Sequence, residues 1–228
     1  MDFQLILDSF PDLLKGLVVT LELLLCSLII GLMIAIPVAI AWVEGNKPVR
    51  FFAHFYVTFF RGTPLLVQIF LIYYGLGQLE SIRESFLWPL FKEPFFCAVL
   101  ALSLNTSSYT ANIIRGAIKA VPHGEIEAGY AFGMTKFQRY QTIILPQAFK
   151  LVLPAYSNEI IIILKATSLA STITIMDLTG VASDIVSNTY RPYEIFISAA
   201  ILYIAMTFIL TRLFRILEIK MNKQIIEW

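Results

Sequence analysis

Two carboxylates stand inside otherwise apolar sequence: Glu22 in "VVTLELLLCS" and Glu159 in "PAYSNEIIIILK". An ionised group surrounded by hydrocarbon is costly, so such residues face protein or a water-filled cavity and mark places where a cation or proton is handled. Glu159 follows Pro154, whose missing N–H can kink a helix and turn carbonyls toward a cavity. Asn158 sits beside it. Polar groups able to face it are Asn105, Thr106, Ser108 and Tyr109 in one apolar stretch, with Gln68 and Tyr73 in another. Two readings stay open for Glu159. It lines a solute path or gate, or it is a buried carboxylate bonded to neighbouring helices. Glu22 carries the same two readings, and Gln68, Asn105 and Tyr109 could equally join helix to helix. If both carboxylates face one cavity, a cationic solute is favoured electrostatically.

Other chemistry is hard to find. His54 and His123 have no metal-ligand spacing, and Cys26 and Cys97 lie in apolar stretches far from any CxxC pattern. No GxxxxGK[ST] phosphate loop occurs. The chain is therefore expected to be no enzyme and to bind no metal, nucleotide or other cofactor itself. A net charge of +1 singles out no partner, and no nucleic acid is expected.

The elements that must hold these residues belong to lipid. Of 228 residues, 58% are hydrophobic and 14% charged, whereas soluble domains carry about a quarter charged. The fold class expected is all-α and integral to the membrane, with about five transmembrane helices. A span needs roughly 20 apolar residues. The stretches are about Leu13–Val43, Phe52–Leu79, Pro94–Ile118, Ile143–Ala166 and Glu194–Leu217, the third and fourth being the least apolar. In "RGTP", Gly62 and Pro64 mark a bend at the start of the second stretch, with Arg61 at headgroup level.

Lys and Arg set the orientation. Twelve of the 17 fall on one set of loops: Lys47, Arg50, Arg61, Arg115, Lys119, Lys136, Arg139, Lys150, Arg212, Arg215, Lys220 and Lys223. Lys15, Arg83, Lys92, Lys165 and Arg191 fall on the other. The N-terminus is thus expected outside and the C-terminus in the cytoplasm. The opening residues, with Asp2, Asp8 and Asp12, do not read as a secretory signal. The segment 167–194 reads as a short outer helix or re-entrant piece, with Asp177, Asp184 and Arg191 available to an outside partner. No linker, low-complexity tract or internal repeat interrupts the chain, so residues 1–228 read as one transmembrane domain with a cytoplasmic loop at about 119–142. Without internal symmetry, a path could form between two such subunits.

That loop contains "EIEAGYAFGMTKFQRYQTIILP" (125–146). Pro122 suits a helix start, and Glu125 and Glu127 suit its positive N-terminal end. Ala128 and Gly129 allow close approach, Tyr130 and Phe132 are aromatic anchors, and Gly133 fits a left-handed helix end. A second helix begins near Thr135. From periodicity alone, an amphipathic loop lying on the lipid surface fits as well.

The spacing of Glu127, Ala128, Gly129, Gly133, Ile143, Leu145 and Pro146 resembles the EAA loop of ABC-importer permeases, with Gly129 where the family usually has Ala. "FFRGTPLLVQIFLIYYG", "ALSLNTSSYTANIIRGAIKAVPHGE" and "PAYSNEIIIILKATSLA" look like the polar amino acid subfamily, and within it the M-type permeases of histidine and arginine systems. The likeness runs from about Leu13 to Glu218. It implies a type I importer permease in the bacterial cytoplasmic membrane, working by alternating access. The loop would dock on an ATP-binding subunit, present in two copies and holding ATP and Mg. The other implied partners are a second permease subunit, related or identical, and an extracytoplasmic amino acid-binding protein. The M-type likeness favours a related chain as that second subunit. The implied solute is a polar, basic amino acid. The rival readings are an ion-coupled secondary transporter using Glu159 or Glu22 as its proton site, and a membrane scaffold. Neither accounts for the 127–146 spacing.

Overall fold

The computed structural model describes residues 3–222, and no strand occurs among them. Asp2 and Lys223, used in the charge reading, lie outside the described residues.

Helix α1 (Phe3–Glu44) has 42 residues, about 63 Å at 1.5 Å per residue. It starts ten residues before the expected stretch. The opening residues outside the expected stretch have an inner face. Ser9, Leu13 and Gly16 are buried, and Leu5 and Leu13 pack in one cluster with Leu178, Val181 and Ile195. Lys15 and Asp12 pair at 2.7 Å on the exposed side.

Helix α2 (Lys47–Gly62) opens on Asn46, whose side chain accepts the N–H of Val49. Helix α3 (Leu65–Phe70) continues through a π turn (Leu71–Gly75) and a 3-10 turn (Leu76–Gln78). The two arms are bent by 103°, so the expected second span is not straight. Thr63 is extended (φ −112°, ψ 144°) because the ring of Pro64 excludes the α region for the residue before it. Gln68 fastens the bend. Its amide donates to the carbonyls of Phe60 (2.9 Å) and Thr63 (3.1 Å) and to the Thr63 hydroxyl (2.7 Å).

Two short helices, α4 (Glu80–Arg83) and α5 (Trp88–Phe91), lead to α6 (Pro94–Lys119), the central helix. Its 26 residues reach about 39 Å. Its polar set, Asn105, Thr106, Ser107, Ser108 and Thr110, is turned inward and buried. Helix α1 lies along it closely. A Cβ on Gly31 would stand 2.5 Å from the Thr106 methyl and 3.3 Å from the Ser103 carbonyl.

The chain then forms α7 (His123–Ala131) and α8 (Lys136–Arg139), a π turn (Tyr140–Ile144), α9 (Leu145–Ala166) and a 3-10 turn (Thr167–Ile173). Residues Lys136 to Ile173 make one helical stretch of 38 residues. Pro154 is accommodated within α9. Helices α10 (Leu178–Thr189) and α11 (Pro192–Asn222) complete the described chain. Three stretches are long and apolar enough to cross a membrane: α1, Lys136–Ile173 and Pro192–Met221. The bent α2–α3 pair makes a fourth. Helix α6 has the length, but its polarity faces its neighbours rather than lipid. The outer surface is apolar, with Val18, Leu25, Ile29, Ile204 and Phe208 among its exposed side chains.

Candidate functional site

The polar middle of α6 holds the first site. Thr106 is about 18 Å from one end of α6 and about 20 Å from the other. At that height a cavity of about 450 Å³ opens between the α2–α3 bend, α6 and α9. Arg61 and Thr63 come from the bend, Asn105 and Tyr109 from α6, and Glu159, Ile162 and Ala166 from α9. The volume is in the range that holds small ligands.

Glu159 is only 4% exposed and accepts one hydrogen bond, from the Thr106 hydroxyl at 3.1 Å. The Arg61 guanidinium lies 5.1 Å from the centre of the Tyr109 ring. A cation and an anion thus line one mid-height cavity. Asn105 donates to the Gln68 side-chain oxygen (3.1 Å) and to the Phe60 carbonyl (3.2 Å), fixing the bend against α6.

Not all the expected path residues gather here. Glu159, Asn105 and Tyr109 do. Gln68 is buried behind the wall, its amide committed to the bend. Asn158 is exposed on another face of α9, and Glu22 is exposed on α1, outside this cavity. Arg61, expected at headgroup level, instead lines the cavity. Its hint was the adjacent Gly62-Thr63-Pro64, since a bend can carry a helix end inward.

The second site is the loop. Pro122 caps α7, and Gly133 has φ +70°, a conformation glycine adopts without strain. Thr135 and Gln138 form a reciprocal capping box at the start of α8. Glu127, Ala128, Tyr130 and Phe132 are exposed, Phe132 to 83%. Glu125 is exposed and accepts from the Gln147 amide at the base of α9. Gly129 is the inward one: a Cβ there would stand 2.9 Å from Ile143 and 3.0 Å from Arg139. The residue that departs from the resemblance therefore lies where space is tightest.

Arg139, in the charge pattern only a loop cation, holds this knob together. It is buried, donates to the Met134 carbonyl at 2.5 Å, and lies 3.6 Å from the centre of the Tyr130 ring. Tyr140 and Lys136 both reach Glu44 at the end of α1, Tyr140 by hydrogen bond and Lys136 by ion pair. No local signal could reveal contacts with a residue more than 90 positions away.

At the opposite end, Asp177 is fully buried, so its carboxylate is not on the surface as expected, whereas Asp184 and Arg191 are exposed. Asp177 caps α10, accepting from the N–H groups of Gly180 (3.0 Å) and Thr179 (3.3 Å) and from the Tyr203 hydroxyl (3.3 Å). Burial pushes its carboxyl up to about 6, against these hydrogen bonds.

Comparison with known proteins places the whole chain in a family. The family model described as "Binding-protein-dependent transport system inner membrane component" matches residues 27–223. The nopaline transport permease NocM of Agrobacterium fabrum is 49% identical over 97% of this chain and 92% of its own. The histidine/lysine/arginine/ornithine permease HisM of Salmonella typhimurium is 45% identical over 88% of this chain and 86% of its own. Among solved structures, an amino acid ABC transporter crystallised with histidines superposes with a TM-score of 0.88 at 37% identity, covering 96% of this chain and 99% of that one. The methionine ABC transporter MetNI shares the fold alone, at TM-score 0.74 and 16% identity over 92% and 95% of the two chains. The chain belongs to the binding-protein-dependent transport system inner membrane component family, as a multi-pass, type I permease subunit of ABC importers whose ATP hydrolysis resides on a separate subunit.

Proposed function

We propose that this permease moves basic amino acids of the arginine, lysine and histidine type through the mid-height cavity. The observation that carries the reading is the joint presence of Arg61 and Glu159 on that cavity. A basic amino acid brings a carboxylate and a side-chain cation, and the cavity offers one partner for each. Asn105 and Tyr109 supply neutral polar contact beside them. The substrates for which the relatives are named, among them histidine, lysine, arginine and ornithine, support the same class.

Residues 1–228 act as one permease domain, with the N-terminus outside and the C-terminus in the cytoplasm. The loop at about 119–142 faces the cytoplasm. Its knob docks on an ATP-binding subunit through Glu127, Ala128, Tyr130 and Phe132, while Glu125, Gly129 and Gly133 set its shape. Two such subunits, holding ATP and Mg, serve a pair of permeases, the second being a related chain. A loaded binding protein meets the outer face, where Asp184 and Arg191 are exposed. ATP binding draws the two knobs together and opens the cavity outward; hydrolysis reverses this.

The test is uptake into liposomes bearing the complete complex. Arginine uptake is expected to require ATP and to survive an uncoupler. Loss under the uncoupler would favour the ion-coupled reading. Deleting 127–133 is expected to abolish co-purification of the ATP-binding subunit, and intact co-purification overturns the docking role.

A further inference from the structure

We propose that Glu44 is a positioning residue that locks the loop to α1, and that α1 carries the loop's movement to Glu159. The proposal rests on the import reading above for its purpose, but its geometry is independent of it. Glu44 is the last residue of α1, and its carboxylate is engaged from the loop on both oxygens. The Tyr140 hydroxyl donates to one, and the Lys136 ammonium pairs with the other. Both partners belong to one short segment, α8 and the π turn that follows it. The helix end is held from the other side as well. Arg50 donates to the carbonyls of Val43 (3.3 Å) and Gly45 (3.4 Å). An exposed ion pair alone contributes little. Here Glu44 is 30% exposed, and two contacts from one rigid turn fix its direction as well as its place.

The same segment grips the knob. Arg139, between Lys136 and Tyr140, holds Met134 and Tyr130, and Gly129 seats on Arg139 and Ile143. Force on α7 therefore reaches α8 and the π turn directly, and Glu44 passes it to α1. From Glu44 to Gly31 is about 20 Å of helix. Pro37 removes one hydrogen bond on the way, but Ala35 and Ala39 on either side are fully buried in a cluster with Ala111 of α6 and Val57 of α2. Gly31 then rests on Thr106, whose hydroxyl donates to Glu159. Every link between the knob and the cavity carboxylate is thus a packed or hydrogen-bonded contact. A coupling claim needs a measured coupling besides such contiguity, and charge exchange provides one.

The complete complex is reconstituted with binding protein, and ATP hydrolysed per arginine imported is measured in wild type, Glu44→Gln, Tyr140→Phe and the exchange Glu44→Lys with Lys136→Glu. Glu44→Gln is expected to raise the ratio at least threefold with the KM for loaded binding protein unchanged. Tyr140→Phe, which loses only a hydroxyl, moves the ratio the same way by less. The exchange pair restores it to within twofold of wild type. An unchanged ratio in both single variants overturns the proposal, as does an exchange pair no better than Glu44→Gln. A second measurement does not depend on import. Spin labels at Ile40 and Phe137, both exposed, in a cysteine-free background are expected to give one narrow distance with and without ATP. The distribution is expected to broaden in Glu44→Gln, and an equally narrow one there overturns the lock whatever the transport assay reads. A wild-type complex that fails to import with ATP would instead overturn the import reading and leave the label result standing.

Discussion

Glu159 and Asp177 are both acidic, both buried and both bonded to a hydroxyl, yet they sit in opposite kinds of region. Asp177 lies where α1, α10 and α11 meet, fully enclosed, with two backbone N–H groups and a tyrosine hydroxyl on its oxygens. Close by, the Thr20 hydroxyl accepts the N–H of Leu178 at 3.0 Å. Glu159 has one hydrogen bond among the described residues and shares an open cavity with Arg61. Burial marks both, so burial alone does not identify a working carboxylate. What differs is the number of protein donors: a carboxylate accepts about four hydrogen bonds, and among the described residues one reaches Glu159 and three reach Asp177.

The largest effect that can break this contrast is on transport. Glu159→Gln keeps size and hydrogen bonding but removes the charge. Arginine uptake is expected to fall more than about tenfold, equivalent to about 1.4 kcal/mol, with glutamine uptake falling far less. Equal loss for both solutes in a parallel assay would make Glu159 as structural as Asp177. A smaller effect comes from the wall behind the cavity. Gln68→Leu removes one of the two acceptors of the Asn105 amide and the donor that ties Phe60 to Thr63, and is expected to lower stability by about 1–3 kcal/mol, read as a lower Tm of the purified complex. An unchanged Tm would show that Thr63 and Pro64 hold the bend unaided. The smallest effect sharpens the other side of the contrast. The Asp177 carboxyl sits near 6 in the folded chain, against about 3.9 in an unfolded one. A raised value contributes stability below about pH 4 that is lost as pH rises through about 6. Asp177→Asn cannot ionise. The Tm of the variant relative to wild type is therefore expected to climb between pH 4 and 6, by a few degrees. A constant difference across that window would mean the carboxyl titrates as it does in the unfolded chain.

Much of this is legible in the residues alone. Four of the five apolar stretches fall on helix and the second is broken at its bend, and Pro122, Gly133 and Thr135 mark both ends of α7 and the start of α8, because caps and left-handed glycines are local signals. The motif spacing from Glu127 to Pro146 led to the family because it is long and ordered. What stayed hidden depends on tertiary contact. Arg61 reads as a boundary cation until the 103° bend carries it beside Tyr109. Asp177 reads as a surface acid until α1 and α11 close over it. Gly129 reads as a tolerated substitution until Ile143 and Arg139 are seen against it. Glu22 and Glu159 look alike in one dimension, since nothing in a run of leucines or isoleucines says which face of the helix its acid occupies.

The length of α1 has one more consequence. A hydrocarbon slab about 30 Å thick covers roughly half of a helix about 63 Å long. Glu22 stands about 33 Å of helix from Glu44, a little more than the slab is thick, so an upright α1 with Glu44 at one rim brings Glu22 out of the hydrocarbon at the other. In that placement the stretch from Phe3 to about Leu21 extends past the slab, braced by α10 through Gly16 and Thr20. A detergent belt sized to the bilayer leaves that mast bare, and its upright posture then depends on α10 and α11 rather than on lipid.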